Sequence, residues 1–179
     1  DAEMGSITQM LTEKSRGNAP AILFDNVPGY EEGYRTLYGS LSSVKRVALT
    51  LGLPLEHERK ADIVQRYYDR MQNMKLIPPE MVDTGPVLEN ILTGDSINVL
   101  KFPVPRHHEQ DKARYIGTAN CVISQDPDDG SYNLGTYRNQ VYDAKTIGCQ
   151  ITEGKHGRIH RDKYFERGEE CKFAILVGM

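Results

Sequence analysis

The sequence has too few cysteines, too widely spaced, to define a disulfide-stabilised or zinc-stabilised protein. Three occur in 179 residues, at Cys121, Cys149 and Cys171, and no two of them form a CxxC pair. Disulfide frameworks and structural zinc sites need paired or closely spaced cysteines. The sequence therefore disfavours both, and we expect a protein of the reducing cytoplasm.

The sequence also has no excess of positive charge and no long apolar run. Its formal net charge of −3 leaves no basic field that would attract a polynucleotide. None of its apolar stretches approaches the roughly 20 residues that span a bilayer, and the start lacks a basic-then-apolar signal segment. We expect neither a nucleic acid nor a membrane as partner.

What the sequence does have is the composition of an ordinary globular protein. Hydrophobic residues make up 39% and charged residues 26%, and the length suits one domain or two small ones. In the first half, a short apolar strand at residues 21–24 stands among segments of helical periodicity, which indicates an α/β arrangement. Helices are predicted around residues 4–11, 44–51, 55–74 and 87–92. Ser40 or Ser42 is expected to cap the second of them.

The second half is predicted to be rich in β-structure. Strand composition covers residues 114–124 and 132–141, and the acidic, glycine-containing segment 126–130 between them is typical of a tight turn. These two strands therefore form a predicted hairpin. Further strands are predicted at residues 146–152 and 172–177, with a short helix at 158–167. The change of character near residue 103 predicts two domains, residues 1–102 and 103–179.

The two ends of the sequence indicate a portion of a larger protein. The chain starts at Asp1 without an initiating methionine and closes on the apolar run from Phe173 to Met179. Such a run is typical of a buried strand, whereas chain termini usually lie at the surface. We expect truncation, and a last strand tucked into a finished sheet is the alternative.

The histidines give little support for a zinc hydrolase. His107 and His108 are adjacent, so a strand would direct them to opposite faces, and we interpret them as a solvated loop pair. His156 and His160 have helical i, i+4 spacing, but Gly157 argues against a helix through both. No HExxH motif is present.

A polar segment from Asn133 to Arg138 follows the predicted turn. Asn133 offers a neutral oxygen ligand, Gly135 allows a backbone to approach a ligand closely, and Thr136 can hold phosphate oxygens. Arg138 offers a fixed cationic fork for a carboxylate or phosphate. A hairpin strand with an exposed arginine explains the same residues equally well.

A second polar segment runs from Gln150 to His156 and includes a glycine. Lys155 and His156 could meet a phosphate and its metal ion. A site that mixes oxygen and nitrogen ligands suits manganese or magnesium better than zinc. From the residues alone, this site and a plain surface loop stay equally open.

Several segments, in one order along the chain, resemble the UbiD-type decarboxylases, which use prenylated FMN to add or remove CO2 on aromatic and unsaturated acids. They are residues 19–29, 49–54, 93–95, 100–105, 115–118, 126–128 and 133–138. The resemblance covers nearly the whole chain. It departs from the family where Lys112 and Ala113 follow Asp111, since many members have two glycines there.

The resemblance implies a role for eight residues of the two polar segments. Asn133 matches the first residue of the family's NxxxxR motif, which binds metal, and His156 stands at the spacing of the second metal ligand. Arg138 matches the motif's arginine, which contacts the cofactor and meets the substrate carboxylate. The positions where members contact prenylated FMN are matched by Gly135, Thr136, Tyr137, Gln150 and Lys155.

By resemblance, the fold is an N-terminal α/β domain followed by a split β-barrel that binds flavin, here incomplete. The implied cofactors are prenylated FMN, supplied by a flavin prenyltransferase, and Mn²⁺ or Mg²⁺, with K⁺ as a further candidate. The implied activity is reversible decarboxylation of an aromatic or α,β-unsaturated carboxylic acid by a homo-oligomer. The family's opening strand precedes the position of Asp1. Its third metal ligand (a glutamate), its acidic proton donor and its C-terminal domain follow that of Met179, so we expect this chain alone to be inactive.

Two other classes of function stay open. The chain could be a non-catalytic flavin-binding module, or one subunit of a multi-component carboxylase. A plain metal hydrolase is the third class, and it predicts activity without any flavin.

Overall fold

The computed structural model describes residues 2–54 and 59–178. The chain separates into two compact units, one of residues 3–97 and one that contains residues 98–178. Each unit contains helices and strands, and no closed barrel is formed by the described residues. The mixed α/β fold class is thereby confirmed, whereas the domain boundary placed at residue 103 stays a prediction. None of the described helices is both long and apolar enough to cross a lipid bilayer.

The described residues of the first unit form three α-helices and one two-stranded sheet. Its elements are α1 (Ala2–Lys14), β1 (Ile22–Phe24), β2 (Thr36–Tyr38), α2 (Val44–Thr50) and α3 (Lys60–Gln72). Strands β1 and β2 pair antiparallel, with Leu23 opposite Leu37. The predicted positions of β1 and the three helices are confirmed, although the start of the third prediction, at 55–58, lies outside the described residues. Strand β2 was not predicted.

The cap of α2 differs from the prediction. Ser43, not Ser40 or Ser42, is the N-cap, and its hydroxyl accepts a hydrogen bond from the Arg46 amide. The Ser42 hydroxyl instead donates to the carbonyl of Gly39 at 2.7 Å, so it closes the preceding turn. A side chain engaged in that turn cannot also satisfy the first amides of the helix.

The helix predicted around residues 87–92 is wrong. Residues 84–97 hold only two short 3-10 turns, Pro86–Leu88 and Gly94–Ser96. Val87 and Ile91 are 81% and 66% exposed, so the apolar face that the periodicity suggested is not buried against the described residues. A short helix depends on such burial for its stability, and without it the local turns prevail.

Among its described residues, the second unit has two three-stranded antiparallel sheets, one α-helix and a 3-10 turn at Val99–Lys101. One sheet has the order β3 (Arg114–Gly117), β6 (Arg138–Val141), β7 (Ile147–Gln150). The other has the order β5 (Tyr132–Gly135), β4 (Cys121–Gln125), β8 (Phe173–Leu176). Helix α4 (His156–Glu166) follows β7. The predicted hairpin is confirmed, with Gln125 opposite Tyr132 across the turn.

Two predicted strands are each divided between the two sheets. Residues 114–124 form β3 and β4, and residues 132–141 form β5 and β6, with breaks at 118–120 and 136–137. At the second break Tyr137 is turned into the interior, where it packs with Val122 and Ile151. Both strands thus change sheets, a feature that strand composition does not reveal.

Strand β8 is less buried than the apolar run predicted. Phe173 and Ile175 pack against the core around Val122, whereas Ala174 is exposed and Val177, just after the strand, is 51% exposed. Within residues 173–175, one face is therefore covered by the described residues and the other is not. The prediction of a strand is confirmed, but the described residues leave it only partly buried.

Candidate functional site

A cavity of about 520 Å³ opens in the second unit, beside the end of β5 and the start of α4. Its volume lies in the range typical of small-molecule and cofactor sites. It brings together all eight residues predicted from the two polar segments: Asn133, Gly135, Thr136, Tyr137, Arg138, Gln150, Lys155 and His156. Thr118, Leu134 and Thr152 complete the lining.

Strand pairing explains why the two segments meet. Strands β6 and β7 are antiparallel neighbours, and their register places Arg138 opposite Gln150. In chain order, β5 leads to Arg138 at the start of β6, and Gln150 at the end of β7 is followed by the segment that leads to α4. Residues about twelve positions apart in sequence therefore become direct neighbours.

Helix α4 corrects the interpretation of the histidines. It begins at His156 and runs through Gly157 and His160, so one helix does contain both histidines. His156 is exposed in the first turn and lines the cavity, whereas His160 is 5% exposed and points to other partners. The glycine is tolerated because it lies in the first turn, where its lack of a side chain leaves room for Tyr137.

Tyr137 joins the two sides of the cavity. Its hydroxyl accepts a hydrogen bond from the Gly157 amide at 3.1 Å and another from Nδ2 of Asn133 at 3.2 Å. The ring is only 8% exposed. A Cβ atom at Gly135 would lie 2.4 Å from the ring, and one at Gly157 would lie 2.8 Å from it. Both glycines are therefore needed for the ring to fit.

The cavity favours an anionic ligand. Arg138 and Lys155 contribute two cations, and none of the described residues that line the cavity is acidic. The start of α4 adds the positive end of a helix dipole, which attracts phosphates and carboxylates. Thr136 and Thr152 add hydroxyl donors. This set of groups fits the phosphate of a nucleotide or flavin.

Two lining residues could hold a metal ion. Asn133 offers its carbonyl oxygen, because Nδ2 of the same amide is bonded to Tyr137, and His156 offers an imidazole nitrogen. The described residues contain no group of three or more His, Cys, Asp or Glu side chains placed to bind a metal. The chain thus offers two metal ligands, one oxygen and one nitrogen. This pair fits Mn²⁺ or Mg²⁺, with phosphate or water as the remaining ligands.

A smaller recess of about 170 Å³ adjoins the cavity on the β3-β6-β7 sheet. It shares Arg138 and Gln150 with the larger cavity. The rest of its lining is Tyr115, Gln140, Tyr142, Gly148 and Cys149. Burial raises the pKa of the Cys149 thiol, so this cysteine stays protonated at neutral pH. The positively charged side chain of Arg138 lines both the cavity and the recess.

A buried polar network anchors α4, and sequence reasoning missed it. The Ser124 hydroxyl lies 2.9 Å from Nδ1 of His160, and Nε2 of His160 lies 3.5 Å from the Asp126 carboxylate. Lys163 donates to both Asp126 oxygens, at 2.9 and 2.6 Å. The sequence did hold a signal for this network. His160, Lys163 and Arg167 are spaced three and four residues apart, so they lie on the same side of the helix, toward the acidic turn.

This network has the residue types of the catalytic triad of a hydrolase. Unlike the serine of such a triad, however, its serine is not accessible to a substrate. Ser124, His160 and Asp126 are 1%, 5% and 8% exposed, so no substrate reaches the serine in this arrangement. Buried polar groups that satisfy one another rigidify a fold. We therefore assign the network to holding α4 against the β4–β5 hairpin.

Replacing Gly157 with alanine is expected to destabilise the protein by about 1–3 kcal/mol, because the new Cβ would overpack against the Tyr137 ring. Without that ring, the same change would stabilise a helix by up to about 1 kcal/mol. Thermal unfolding measures the difference. Gly85→Ala is the control, since its backbone is extended and none of the described residues lies within 4 Å of the added atom. Equal melting temperatures would show that the ring moves aside freely.

Two parts of the chain match domains of one family of known proteins. The N-terminal domain of 3-octaprenyl-4-hydroxybenzoate carboxy-lyase matches residues 1–70, and the Rift-related domain of the same family, UbiD, matches residues 80–179. The chain therefore belongs to the UbiD family, and the family membership predicted from the sequence is confirmed.

Relatives with assigned activities are decarboxylases. The chain is 32% identical over 184 residues to pyrrole-2-carboxylic acid decarboxylase of Pseudomonas aeruginosa, covering 98% of this chain and 36% of that protein. It is 32% identical over 165 residues to phenolic acid decarboxylase of Escherichia coli O157:H7, covering 89% of this chain and 34% of that protein. The chain thus spans about a third of the length of these relatives.

Solved structures show the same fold. Vanillic acid decarboxylase of Sedimentibacter hydroxybenzoicus in its open form has a TM-score of 0.80 at 26% identity, over 98% of this chain and 36% of that one. The UbiD-class enzyme HmfF of Pelotomaculum thermopropionicum, in complex with FMN, has a TM-score of 0.75 at 26% identity, over 94% of this chain and 36% of that one. An evolved dimeric form of HmfF was solved with prenylated FMN, and it has a TM-score of 0.76 over 96% of this chain and 38% of that one.

Proposed function

We propose that this chain contributes part of the prenylated-FMN site of a decarboxylase that acts on an aromatic or α,β-unsaturated carboxylic acid. One observation carries the proposal: the eight residues matched to the family's cofactor and metal positions line a single cavity of fitting size. The cationic lining and the start of α4 support a phosphate-bearing ligand there. The FMN and prenylated-FMN complexes of HmfF support the choice of flavin.

Two cavity residues are assigned to the metal and two to the phosphate. Asn133 and His156 would hold Mn²⁺ or Mg²⁺, which would supply positive charge that offsets the charge of the flavin phosphate. Lys155 and Thr136 would bind the phosphate oxygens directly, and the helix dipole of α4 would favour the negative charge. Two protein donors leave several coordination positions for phosphate and water, as hard divalent cations require.

Arg138 is assigned to the substrate. Its guanidinium group can hold a carboxylate with two parallel hydrogen bonds, and its place between the cavity and the adjoining recess would let it reach flavin and substrate together. Prenylated FMN would supply the electron-accepting chemistry for loss of CO2. The protein's own part is to orient the acid and to stabilise developing charge beside the flavin.

The substrate class follows from the chemistry of the relatives. They are named for pyrrole-2-carboxylic acid and phenolic acids, which are planar conjugated carboxylates. We propose a substrate of this class and an oligomeric enzyme, since an evolved form of HmfF is dimeric and the vanillic acid decarboxylase includes a second polypeptide, ShVdcD. One subunit of a multi-component enzyme is the second candidate, and this last observation favours it.

The test uses the full-length protein co-produced with a flavin prenyltransferase. We expect a flavin absorbance band in the purified protein and release of CO2 from pyrrole-2-carboxylate or a phenolic acid such as vanillate. Protein made without the prenyltransferase should lack turnover. Turnover without flavin would favour a metal hydrolase and contradict the proposal. Flavin binding without turnover, restored by a second polypeptide, would favour the multi-component enzyme.

The 179-residue chain by itself is expected to be inactive. The third metal ligand and the proton donor that the family resemblance implies are not among its assigned residues. Measurable CO2 release by this chain alone would overturn that expectation.

A further inference from the structure

Tyr137 is part of the interior and of the cavity wall at once. Its ring belongs to the core with Val122 and Ile151, and it fills the space left by two glycines. Its hydroxyl contacts Asn133, one of the two residues assigned to metal binding. A residue held this firmly can fix the position of what it touches.

The hydroxyl fixes the side chain of Asn133. Nδ2 of Asn133 donates to the phenol oxygen at 3.2 Å, and the Gly157 amide donates to the same oxygen at 3.1 Å. The phenol oxygen has two acceptor positions, and both are thus occupied. With Nδ2 directed to Tyr137, the carbonyl oxygen of the Asn133 amide is left to meet a cation. A phenylalanine would leave the amide without this partner.

We propose that Tyr137 is a positioning residue that orients the Asn133 amide for binding the divalent cation. This inference rests on the proposed function, because it assumes the cation at Asn133 and His156. Tyr137 itself needs no contact with the metal. Residues that hydrogen-bond to metal ligands commonly change metal affinity by 10- to 100-fold when they are removed.

The test compares Tyr137→Phe with Tyr132→Phe in the full-length protein. Tyr132 lies at the start of the same strand as Asn133, is 65% exposed and does not line the cavity, so its loss controls for removal of a hydroxyl. FMN is the flavin probe, followed by quenching of its fluorescence without metal. Mn²⁺ is the metal probe, titrated by electron paramagnetic resonance with FMN bound.

We expect Tyr137→Phe to lower Mn²⁺ affinity by about 10- to 100-fold and, because phenylalanine keeps the ring that lines the cavity, to lower FMN affinity far less. Tyr132→Phe should change neither. A merely structural role for Tyr137 would weaken both affinities together, and that result would overturn the inference. Unchanged Mn²⁺ affinity would overturn it as well. Both measurements are made at a temperature where circular dichroism shows each variant folded.

The double variant Tyr137→Phe, Asn133→Ala separates positioning from other effects. If Tyr137 acts through Asn133, the double variant binds Mn²⁺ no more weakly than Asn133→Ala alone. A further tenfold loss in the double variant would contradict the proposed route. If the wild-type protein binds neither FMN nor Mn²⁺, the proposed function fails, whereas wild-type binding with an unaffected Tyr137→Phe variant defeats this inference alone.

Discussion

In the full-length protein, replacing Arg138 with lysine is expected to lower the kcat/KM of decarboxylation by about 100-fold or more while flavin stays bound. Lysine keeps the positive charge but loses the planar fork that holds a carboxylate with two hydrogen bonds. Loss of a single preorganised donor to a transition state typically costs about 100- to 1,000-fold in rate. Release of CO2 measures the activity, and absorbance of the purified protein measures the flavin content.

Arg35→Lys is the matched control for that prediction. Arg35 is an exposed arginine in the first unit and lines neither described recess, so the same chemical change there should leave activity unaltered. Activity of Arg138→Lys within about threefold of wild type would show that the fork does not bind the carboxylate. Loss of flavin together with activity would instead assign Arg138 to cofactor binding alone.

Replacing Asp126 with alanine is expected to destabilise the protein by about 2–3 kcal/mol. The Asp126 carboxylate accepts two hydrogen bonds from Lys163 and one from the Asp128 amide, and it lies beside His160. Charge-assisted hydrogen bonds contribute about 1.5–3 kcal/mol, and removing one partner leaves the others unsatisfied. The side chain of Lys163 is 32% exposed, so water recovers part of the loss.

Urea denaturation measures that loss, and Asp129→Asn is the control. Asp129 lies in the same turn, is exposed, and accepts a hydrogen bond from the Ser131 amide through an oxygen that asparagine keeps. Asp126→Ala should also weaken FMN binding, because α4 begins at His156, which lines the cavity, directly after Lys155. Equal stability of the two variants would show that the network does not anchor the helix.

The candidate site was predictable because each of its halves is a short continuous segment. Asn133 to Arg138 and Gln150 to His156 carry their ligand chemistry in their residue types, and the family resemblance assigned roles to them. The geometry that joins them was not predictable from composition. It depends on the pairing of Arg138 with Gln150 and on the turn at Tyr137, and both arise from contacts with distant residues.

The errors in the fold share one cause. Strand composition at residues 114–124 and 132–141 is continuous, yet each segment crosses between sheets, because burial of residues such as Tyr137 requires a break. The periodicity at residues 87–92 is helical, yet none of the described residues buries that face. The local sequence pattern shows which secondary structures a segment can form. Packing against the rest of the protein then determines which of them it adopts.

By itself, the sequence determined the fold class, the β4–β5 hairpin, the helices α1 to α4 in outline and the membership of a decarboxylase family. These features rest on local signals, such as the turn at 126–130, and on residue order. Only the tertiary structure decided that Gly157 lies inside a helix, that His160 joins a buried network, and that Tyr137 holds Asn133. Each of these depends on atoms from separate segments meeting within hydrogen-bonding distance, which no single stretch of sequence encodes.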